Sequence, residues 1–304
     1  MTKKIYVPPI KIQGKKTKLL PFILNHLPVN EYDTWIEPFM GSGVVGFNIQ
    51  PTKAVFADSN PHIIRFYQAL QTEEITPTIA KKFLQIEGKK LAEKGQNYYN
   101  EVRSRFNETF EPLDFLFLNR SCFNGMIRFN KKLAFNVPYG HKPERFAQAY
   151  ITKIVNQIHD IQYLIKNNDW TFLCQDFRQT LQNIKATDLV YCDPPYIGRH
   201  VDYYDSWNEE DELCLVNLLQ EKKAKVIIST WHSNQYRKNE YLQKVWGDYA
   251  IATTEHFYHV GAKEENRNPM TEALLTNYQT FKLIENEQTF VKTAIEDIQL
   301  SLFE

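Results

Sequence analysis

A carboxylate, two prolines and an aromatic ring stand in a row at Asp193, Pro194, Pro195 and Tyr196. They follow the apolar run Leu189–Cys192, which is typical of a buried strand. Adjacent prolines cannot continue a central strand, because neither has an N–H to donate to the ladder. The pattern therefore predicts a strand that stops abruptly and presents an acceptor and a flat ring at its carboxyl end.

This tetrapeptide suits the transfer of a group to an aromatic amino nitrogen. Such a nitrogen is a poor nucleophile, because its lone pair is delocalised into the ring. The Asp193 carboxylate and the Pro194 carbonyl, facing its two N–H bonds, would hold the lone pair toward an electrophile. The ring of Tyr196 offers a face on which a base can stack. No strong general base is required, because an amine that receives a cationic methyl group becomes acidic.

Three further acids, Glu37, Asp58 and Asp176, also end strand-like runs. In open α/β sheets the carboxyl ends of the strands line the ligand crevice. An acid in such a position is more often a helix cap or a turn residue, but four of them together favour a site.

The glycine turn at 38–43 predicts a close approach of backbone to a ligand. It lacks the GxGxxG spacing and a trailing GK[ST], so a dinucleotide or phosphate-loop interpretation is poor. Asp58, about 20 residues after the turn, suits both hydroxyls of a ribose, and Asp176 suits the amino group of an adenine ring. A ligand with ribose and adenine but without phosphates fits these residues best.

The composition is that of an ordinary globular protein, with 43% hydrophobic and 24% charged residues in a chain of 304. No apolar run approaches the roughly 20 residues of a membrane span, and the N-terminus is too polar for a signal peptide. The four cysteines form no CxxC pair and no Cys/His cluster, so we expect free thiols in a reducing cytoplasm and no metal.

The charge pattern leaves nucleic acid open as a partner. The net charge is zero, with 36 basic and 36 acidic residues, which by itself argues weakly against nucleic acid. However, lysines crowd the first 18 residues, and a second basic run at 120–132 interleaves with Phe123 and Phe129. Two local basic surfaces are compatible with phosphate contacts.

Alternating strand and helix patterns predict a doubly wound α/β domain. Between 72 and 150 the chain is polar and aromatic, with several short helical stretches and no clear β alternation. We therefore expect one discontinuous catalytic domain, 1–70 and 151–304, with an insertion at 71–150. Predicted helices cover 17–27, 44–49, 61–70, 151–165 and 211–219. Predicted strands cover 34–37, 54–57, 171–174, 189–192, 225–230, 253–258 and 272–278.

Six segments in order carry a resemblance that spans about residues 8–280. Together they resemble the Dam-type, alpha-group adenine-specific DNA methyltransferases, which use S-adenosylmethionine. The resemblance implies a Rossmann-like methyltransferase sheet with an inserted, mostly helical target-recognition domain. It also implies methyl transfer to N6 of an adenine flipped out of double-stranded DNA, with S-adenosylhomocysteine as product and no metal. The segments are PPIKIQGKKTKLLP (8–21), EPFMGSG (37–43), ADSNP (57–61), LNRSCFNGMIRFNKKLAFNVPYG (118–140), QDF (175–177) and DPPY (193–196).

The same resemblance implies roles for individual residues. Asp193, Pro194, Pro195 and Tyr196 would hold the flipped adenine. Phe123 and Asn124 would enter or wedge the duplex, and Arg128 would read a guanine edge. The full DNA-binding set would be Phe123, Asn124, Met126, Arg128, Lys131 and Pro138. The cofactor-binding set would be Gln13, Lys16, Glu37, Phe39, Gly41, Gly43, Asp58, Asp176 and Phe177.

The chain departs from the family pattern in three places. Its run KIQGKK stands where the family has K-W-A-G-G-K, Glu37 replaces the usual Asp, and Met126 stands where Leu is frequent. The loop at 259–270 matches no motif. It either contacts the DNA backbone through Lys263 and Arg267 or is a solvated hairpin tip.

Several alternatives stay open at this point. Cys192 reads as a buried structural cysteine rather than a nucleophile, because it should point opposite to Asp193. His232 follows a strand and overlooks the crevice in one interpretation. Cytosine-amino enzymes mostly carry S-P-P-Y, and RNA and glutamine enzymes mostly N-P-P-[FY], so Asp193 favours adenine in DNA. Methylation of RNA or of a protein amide, or a non-catalytic DNA-binding subunit, are the alternatives.

The DNA target is not readable from the sequence. Arg128 hints at a guanine, and GATC is a first guess. A restriction–modification system with a cognate restriction endonuclease is expected, with a solitary regulatory enzyme as the other possibility. We expect a cytoplasmic protein that binds double-stranded DNA and no membrane.

Overall fold

A seven-stranded sheet forms the centre of the computed structural model, which describes residues 4–14, 16–29, 31–130, 132–197, 207–257 and 269–278. The strand order is β3-β2-β1-β4-β5-β7-β6. β7 is antiparallel to β5 and β6, and the other pairs are parallel. The strands are β1 (Trp35–Glu37), β2 (Lys53–Asp58), β3 (Asp169–Cys174), β4 (Leu189–Cys192), β5 (Lys225–Asn234), β6 (Ala250–Phe257) and β7 (Pro269–Thr276).

The strand order reverses between β1 and β4, which lie side by side. The chain moves outward from β1 to β2 and β3 on one side, then returns to continue with β4 and β5 on the other. In doubly wound sheets the ligand crevice opens outside the carboxyl ends of the strands at this reversal. The residues that follow β1 and β4 are therefore the first candidates for a ligand site.

Ten α-helices are present in the described part of the chain. They are α1 (Leu20–Leu24), α2 (Val44–Ile49), α3 (Pro61–Gln71), α4 (Pro77–Lys94), α5 (Gln96–Thr109), α6 (Pro112–Ser121), α7 (Gln148–Lys166), α8 (Phe177–Gln182), α9 (Glu209–Lys222) and α10 (Tyr241–Lys244). Single 3-10 turns occur at Lys16–Lys18, Phe123–Gly125 and Pro143–Phe146.

All seven predicted strands are found, and β4 and α2 have the predicted bounds. The predicted helix at 17–27 is wrong, because the segment divides into a 3-10 turn and the short α1. Pro21 explains the division, since a proline is tolerated only in the first turn of a helix. β5 ends four residues later than predicted, and β6 and β7 each begin three residues earlier, because β7 pairs with both β5 and β6 through these added residues.

The stretch between α3 and α7 holds longer helices than the short ones predicted. α4 has 18 residues and α5 has 14, and Gly95 with φ 56° separates them. The Thr76 side chain accepts the N–H of Ile79 at 3.2 Å and so begins α4 just before Pro77. The helical pattern is obscured in the sequence because the exposed face of α4 is rich in lysine and that of α5 is polar.

The core extends continuously from the sheet into this helical stretch. One buried cluster contains Trp35 and Phe56 of the sheet together with Phe106 and Phe117 of the helices. α7 begins at Gln148, before the predicted boundary at 150/151. The two-domain division stays a prediction, and the shared core means that the two parts bury apolar surface against each other.

A second cluster covers the other face of the sheet. Tyr191 packs in the first cluster and Cys192 in the second, as the alternation of a strand requires. None of the described helices is both long and apolar enough to cross a lipid bilayer.

Candidate functional site

The side chain of Asp193 emerges directly after β4 and meets a buried lysine. Its Oδ1 lies 2.8 Å from Nζ of Lys16, which is 4% exposed. Lys16 comes from the 3-10 turn before α1, and its ammonium also donates to the carbonyl of Gly14 at 3.1 Å. Burial raises the pKa of Asp193, and the charge of Lys16 opposes that rise. The lysine therefore favours the ionised carboxylate.

Tyr196 lies beside the same lysine. The Nζ of Lys16 is 5.2 Å from the centre of the tyrosine ring, within the range of a cation–π contact. The Tyr196 hydroxyl donates to Oε2 of Glu272 at 2.9 Å. We name these four residues, Lys16, Asp193, Tyr196 and Glu272, the Asp193 cluster. The sequence analysis missed Glu272, although an acid within the apolar run of β7 was a visible signal.

The carboxyl group of Glu37 points into the core at the end of β1. It accepts the indole N–H of Trp35 at 2.9 Å, and the backbone N–H of Gly46 also binds it. Burial, with a smaller contribution from the negative charge of Asp193, raises the pKa of Glu37 to about 8. A Cβ at position 46 would lie 2.8 Å from Oε1, so this close approach requires glycine. Glu37 thus lies beneath the glycine turn, bonded to protein groups.

Asp58 holds the glycine turn against the end of β2. Its Oδ2 accepts the N–H of Gly41 and its Oδ1 accepts the N–H of Asn60, both at 2.9 Å. Gly41 and Gly43 have φ of 48° and 70°, which favour glycine. A carboxylate has about four acceptor sites, so Asp58 retains capacity for the hydroxyls of a ligand.

Asp176 lies two residues after the end of β3 and caps α8. Its Oδ1 accepts the N–H of Arg178 at 2.8 Å, and its Oδ2 lies 3.1 Å from Nη1 of the same arginine. Arg178 also pairs with Asp211 of α9. The acid predicted to bind an amino group is therefore a helix cap with an ion-pair partner, and its side chain is 46% exposed.

Three aromatic rings gather beside these acids. The ring centres of Phe39, Phe177 and Trp207 are separated by 5.3 Å, 5.5 Å and 5.3 Å. The indole of Trp207 donates to Glu212 at 2.6 Å, and Glu212 also accepts the indole N–H of Trp246 at 2.7 Å. Trp207 was missed in the sequence, where no motif marks it. The predicted cofactor residue Gln13 lies exposed in the turn before Lys16.

A hairpin follows α6 and carries the predicted DNA-binding residues. We name residues 123–139 the recognition hairpin, whose two arms meet through isolated bridges at Phe129 and Phe135 and, at its base, at Cys122 and Tyr139. Phe123 is 50% exposed at the start of the hairpin. Asn124 has a φ of 54°, which lies in the left-handed region.

Other predicted DNA-binding residues lie along the same hairpin. The Nε of Arg128 donates to Oδ1 of Asn136 at 2.9 Å, and Met126 is half-buried. Pro138 is exposed, and its carbonyl accepts the N–H of Phe123 at 2.9 Å. Lys131 lies outside the described residues.

The N-terminal segment joins the Asp193 cluster to the base of the hairpin. The side chain of Asn119 accepts the N–H of Lys11 at 2.7 Å and donates to its carbonyl at 2.8 Å. A Cβ on Gly125 would lie 2.7 Å from the side chain of Lys11, so the hairpin packs closely here. The segment that carries Lys16 is thus fixed to the recognition hairpin.

The sequence left open the roles of Cys192 and His232, and the structure gives the surroundings of both. Cys192 is fully buried in the second core cluster, and burial raises its thiol pKa well above the usual value. Its interpretation as a structural cysteine is confirmed. The four cysteines, all within the described residues, are free. His232 is half-buried, with Nδ1 2.9 Å from the hydroxyl of Ser233.

Residues 259–268 lie outside the described part, so the interpretation of that loop stays open, while Pro269 and Met270 begin β7. Across the residues that the structure describes, no group of three or more His, Cys, Asp or Glu side chains is placed to hold a metal ion.

The reversed strand order, the antiparallel β7 and the acids at the carboxyl edge define a Rossmann-like methyltransferase. Within that class, the chain belongs to the family of D12 class N6 adenine-specific DNA methyltransferases, whose sequence model matches residues 13–264. The resemblance seen in the sequence is thereby confirmed.

Three curated relatives illustrate the similarity. The Retron Ec67 DNA adenine methylase of Escherichia coli is 32% identical over 72% of this chain and 75% of its own length. The type II methyltransferase M1.LlaDCHI of Lactococcus lactis subsp. cremoris is 28% identical over 88% and 94%. The type II methyltransferase M.FokI of Planomicrobium okeanokoites is 28% identical over 90% of this chain. This chain covers 43% of that longer protein.

Proposed function

We propose that this protein transfers a methyl group from S-adenosylmethionine to N6 of an adenine in double-stranded DNA. The observation that carries the proposal is the Asp193 cluster at the end of β4, where a carboxylate and an aromatic ring stand beside a buried lysine. Membership of an N6 adenine-specific family supports the choice of base.

At the reacting nitrogen, the side chain of Asp193 and the carbonyl of Pro194 accept the two N–H bonds of the target adenine. The acceptors draw the nitrogen lone pair out of conjugation, and Tyr196 stacks on the base. Lys16 favours the ionised form of Asp193 before the base arrives. Once the new N–C bond has formed and the bond from the methyl carbon to sulfur has broken, leaving S-adenosylhomocysteine, one N6 proton would leave through the Asp193 carboxylate to water.

The cofactor lies, in this proposal, between the glycine turn and the aromatic group of Phe39, Phe177 and Trp207. S-adenosylmethionine, when bound, supplies the electrophilic methyl group. The residues fit its parts: Asp58 has free acceptor capacity for ribose hydroxyls, and the aromatic rings offer apolar surface for a purine. Asp176 would accept the adenine amino group with an oxygen that already binds Arg178.

The other residues predicted to bind the cofactor shape the site or lie at its border. Gly41 and Gly43 let the backbone turn close to the ligand, and Glu37 supports that turn from below. Gln13 and Lys16 border the site from the N-terminal segment.

The recognition hairpin supplies the DNA contacts in this proposal. Arg128 reads a guanine edge in the major groove, where two parallel N–H donors match O6 and N7. Phe123, half exposed, wedges the duplex while the target adenine leaves the stack. Met126, Asn124 and Pro138 line the same surface, as does Lys131 by its place in the sequence.

The biological setting that we propose is a restriction–modification system with a cognate restriction endonuclease. Two relatives carry the name type II methyltransferase, which supports this setting. GATC is the first target sequence to test, because Arg128 calls for a guanine in the site.

The test is methyl transfer from labelled S-adenosylmethionine to unmethylated plasmid DNA, with single-molecule sequencing to map the modified bases. We expect N6-methyladenine in one short motif and no label with Asp193→Ala. Label confined to cytosine would refute the choice of base. Label in RNA or protein but none in DNA would refute the choice of substrate.

A further inference from the structure

Glu272 is a buried acid in an otherwise apolar strand. It is 1% exposed, and its neighbours Ala273, Leu274 and Leu275 in β7 are buried as well. Burying a carboxylate is strongly unfavourable unless hydrogen bonds or charges compensate it. An acid retained in such a position therefore has specific partners.

A bulge in the sheet lies at the position of Glu272. In the ladder of β5 and β7, Trp231 lies opposite Glu272, and Ser233 lies opposite Thr271. His232 is thus one extra residue on β5. Bulges of this kind bend a strand locally and re-aim its side chains, and they are frequent next to active sites. Glu272 therefore lies opposite the irregular point of the ladder.

The hydroxyl of Tyr196 is the partner that links Glu272 to the tetrapeptide. It donates to Oε2 at 2.9 Å, across 76 residues of sequence. Tyr196 follows two prolines in an irregular segment, so no helix or sheet ladder fixes its backbone. A bond from a buried strand to the far end of the ring restricts the orientation of that ring.

The charge of Glu272 also reaches the rest of the Asp193 cluster. Burial raises the pKa of Asp193, Lys16 opposes that rise, and the negative charge of Glu272 adds a smaller rise. Lys16 lies 2.8 Å from Asp193 and 5.2 Å from the ring of Tyr196. Asp193 thus contacts the ammonium group and Glu272 contacts the tyrosine hydroxyl, at the point where we place the target base.

We propose that Glu272 is a positioning residue that fixes the ring of Tyr196 as a ready stacking surface for the target base. This inference rests on the proposed function of the Asp193 cluster. A ring already held in its working orientation loses less conformational freedom when the base binds. A small misplacement of a group that positions a substrate costs up to about 100-fold in rate.

A double-mutant cycle tests the pairing of the two residues. Tyr196→Phe removes the donor and keeps the ring, Glu272→Leu removes the acceptor, and the double variant removes both. Glu272→Gln serves as the conservative variant, because its amide oxygen still accepts the hydroxyl. The measurement is the single-turnover rate of methyl transfer to duplex DNA, with saturating cofactor and DNA, for the wild type and all four variants.

We expect Tyr196→Phe and Glu272→Leu each to lower the rate by about tenfold, the effect of losing one buried hydrogen bond. In the Tyr196→Phe background, Glu272→Leu should cost less than about twofold more, because the bond is already absent. Glu272→Gln should retain most of the activity. The Kd for S-adenosylmethionine should stay unchanged throughout.

Three results would overturn the pairing: an equal cost of Glu272→Leu in both backgrounds, a Tyr196→Phe variant with the wild-type rate, or a Glu272→Gln variant as slow as Glu272→Leu. If Glu272→Leu fails to fold, a wild-type rate for Tyr196→Phe or a tenfold loss of rate with Glu272→Gln would still overturn the pairing. Failure of the proposed function is a separate outcome, since the wild type would then leave adenine in duplex DNA unmodified.

Discussion

The Asp193 cluster and the recognition hairpin hold their functional side chains in different ways. In the cluster, Asp193 and Tyr196 are held by Lys16 and Glu272, which come from distant parts of the chain. In the hairpin, Arg128 is held by Asn136, only eight residues away, and Phe123 is half exposed. The cluster thus depends on contacts between distant parts of the chain, whereas the bond from Arg128 to Asn136 lies within the hairpin.

This difference matches the proposed tasks of the two regions. Transfer to an amino nitrogen needs acceptors that are fixed before the base arrives, because orienting them during the reaction would raise the barrier. To read DNA, a donor must release its hydrogen-bond partner within the protein and bind the edge of a base instead. The bond between Arg128 and Asn136 is such an exchangeable contact. Changes in the cluster should therefore affect rate, and changes in the hairpin should affect site preference.

The largest expected effect is that of Asp193→Ala. Removal of the acceptor should lower the single-turnover rate by about a thousandfold or more, as for the loss of a preorganised group at the reacting centre. Cofactor binding should stay within about twofold of wild type, measured by calorimetry. Asp169→Ala, at the opposite end of the sheet and 72% exposed in the parent protein, is the matched control and should retain full activity. Joint loss of rate and cofactor binding would show that the two sites are not separate.

Asp58→Ala should give the next largest effect, on cofactor affinity. The side chain holds the glycine turn through Gly41 and Asn60 and is the proposed acceptor for the ribose. Without the carboxylate, the two ribose hydroxyls would lose their hydrogen bonds to a charged acceptor. Those two bonds are together worth about 3 kcal/mol, or about 100-fold in the Kd for S-adenosylmethionine. DNA binding should be unchanged. A normal cofactor Kd in the folded variant would exclude Asp58 from the cofactor site.

Arg128→Ala tests the proposed role of the recognition hairpin in reading the DNA sequence. It should relax discrimination at one base pair by about tenfold, because a bidentate contact to guanine is worth about 1–3 kcal/mol. Lys132→Ala, an exposed change in the same hairpin, should instead weaken binding to all sequences and reduce the salt dependence. Discrimination is measured from methylation rates on a set of single-base variants of the target, and the salt dependence is measured from binding to the target duplex at several salt concentrations. Unchanged preference with Arg128→Ala would remove its role as a reader.

The smallest expected effect concerns the contact between the recognition hairpin and α3. His62 of α3 stacks on Phe129 of the hairpin, with ring centres 4.7 Å apart, and burial lowers its pKa to about 4. The folded pKa lies below the unfolded value of 6.5, so the stability from neutral His62 is complete above pH 6.5 and is lost as the pH falls toward 4.

Thermal unfolding between pH 7 and pH 4.5 checks this contact. The wild type should lose a few degrees more of Tm than His62→Phe, at about 2–4 °C per kcal/mol. Parallel pH profiles for the two proteins would show that protonation of His62 does not destabilise the fold.

Much of the carboxyl edge of the sheet, where the Asp193 cluster lies, was predictable because the motifs that mark it are local in sequence. The prolines after Asp193 end a strand, and the glycines at 41 and 43 announce a turn, so β4 and α2 were placed correctly. Glu272 and Trp207 were missed because their importance comes from contacts with residues far along the chain. A single acid in an apolar strand indicates that some partner exists, but only the folded sheet shows that the partner is Tyr196.

The helices after α3 show a different limit. Their exposed faces are polar enough to hide the helical period, and their buried faces pack against a core that they share with the sheet. Such helices are stabilised by tertiary packing more than by their own propensity, so the sequence underestimates their length.

Mapping of methylated bases with Asp193→Ala and Arg128→Ala, side by side with the wild type, tests the separation of chemistry from recognition most directly. Both variants would be incubated with unmethylated plasmid DNA, and binding to the target duplex would be measured in parallel. The separation predicts that Asp193→Ala binds DNA as the wild type does and methylates no adenine. Arg128→Ala should methylate adenine at near-normal maximal rate, in the original motif and in motifs that differ from it at one base pair. Loss of methylation with both variants, or an unchanged motif with Arg128→Ala, would contradict it.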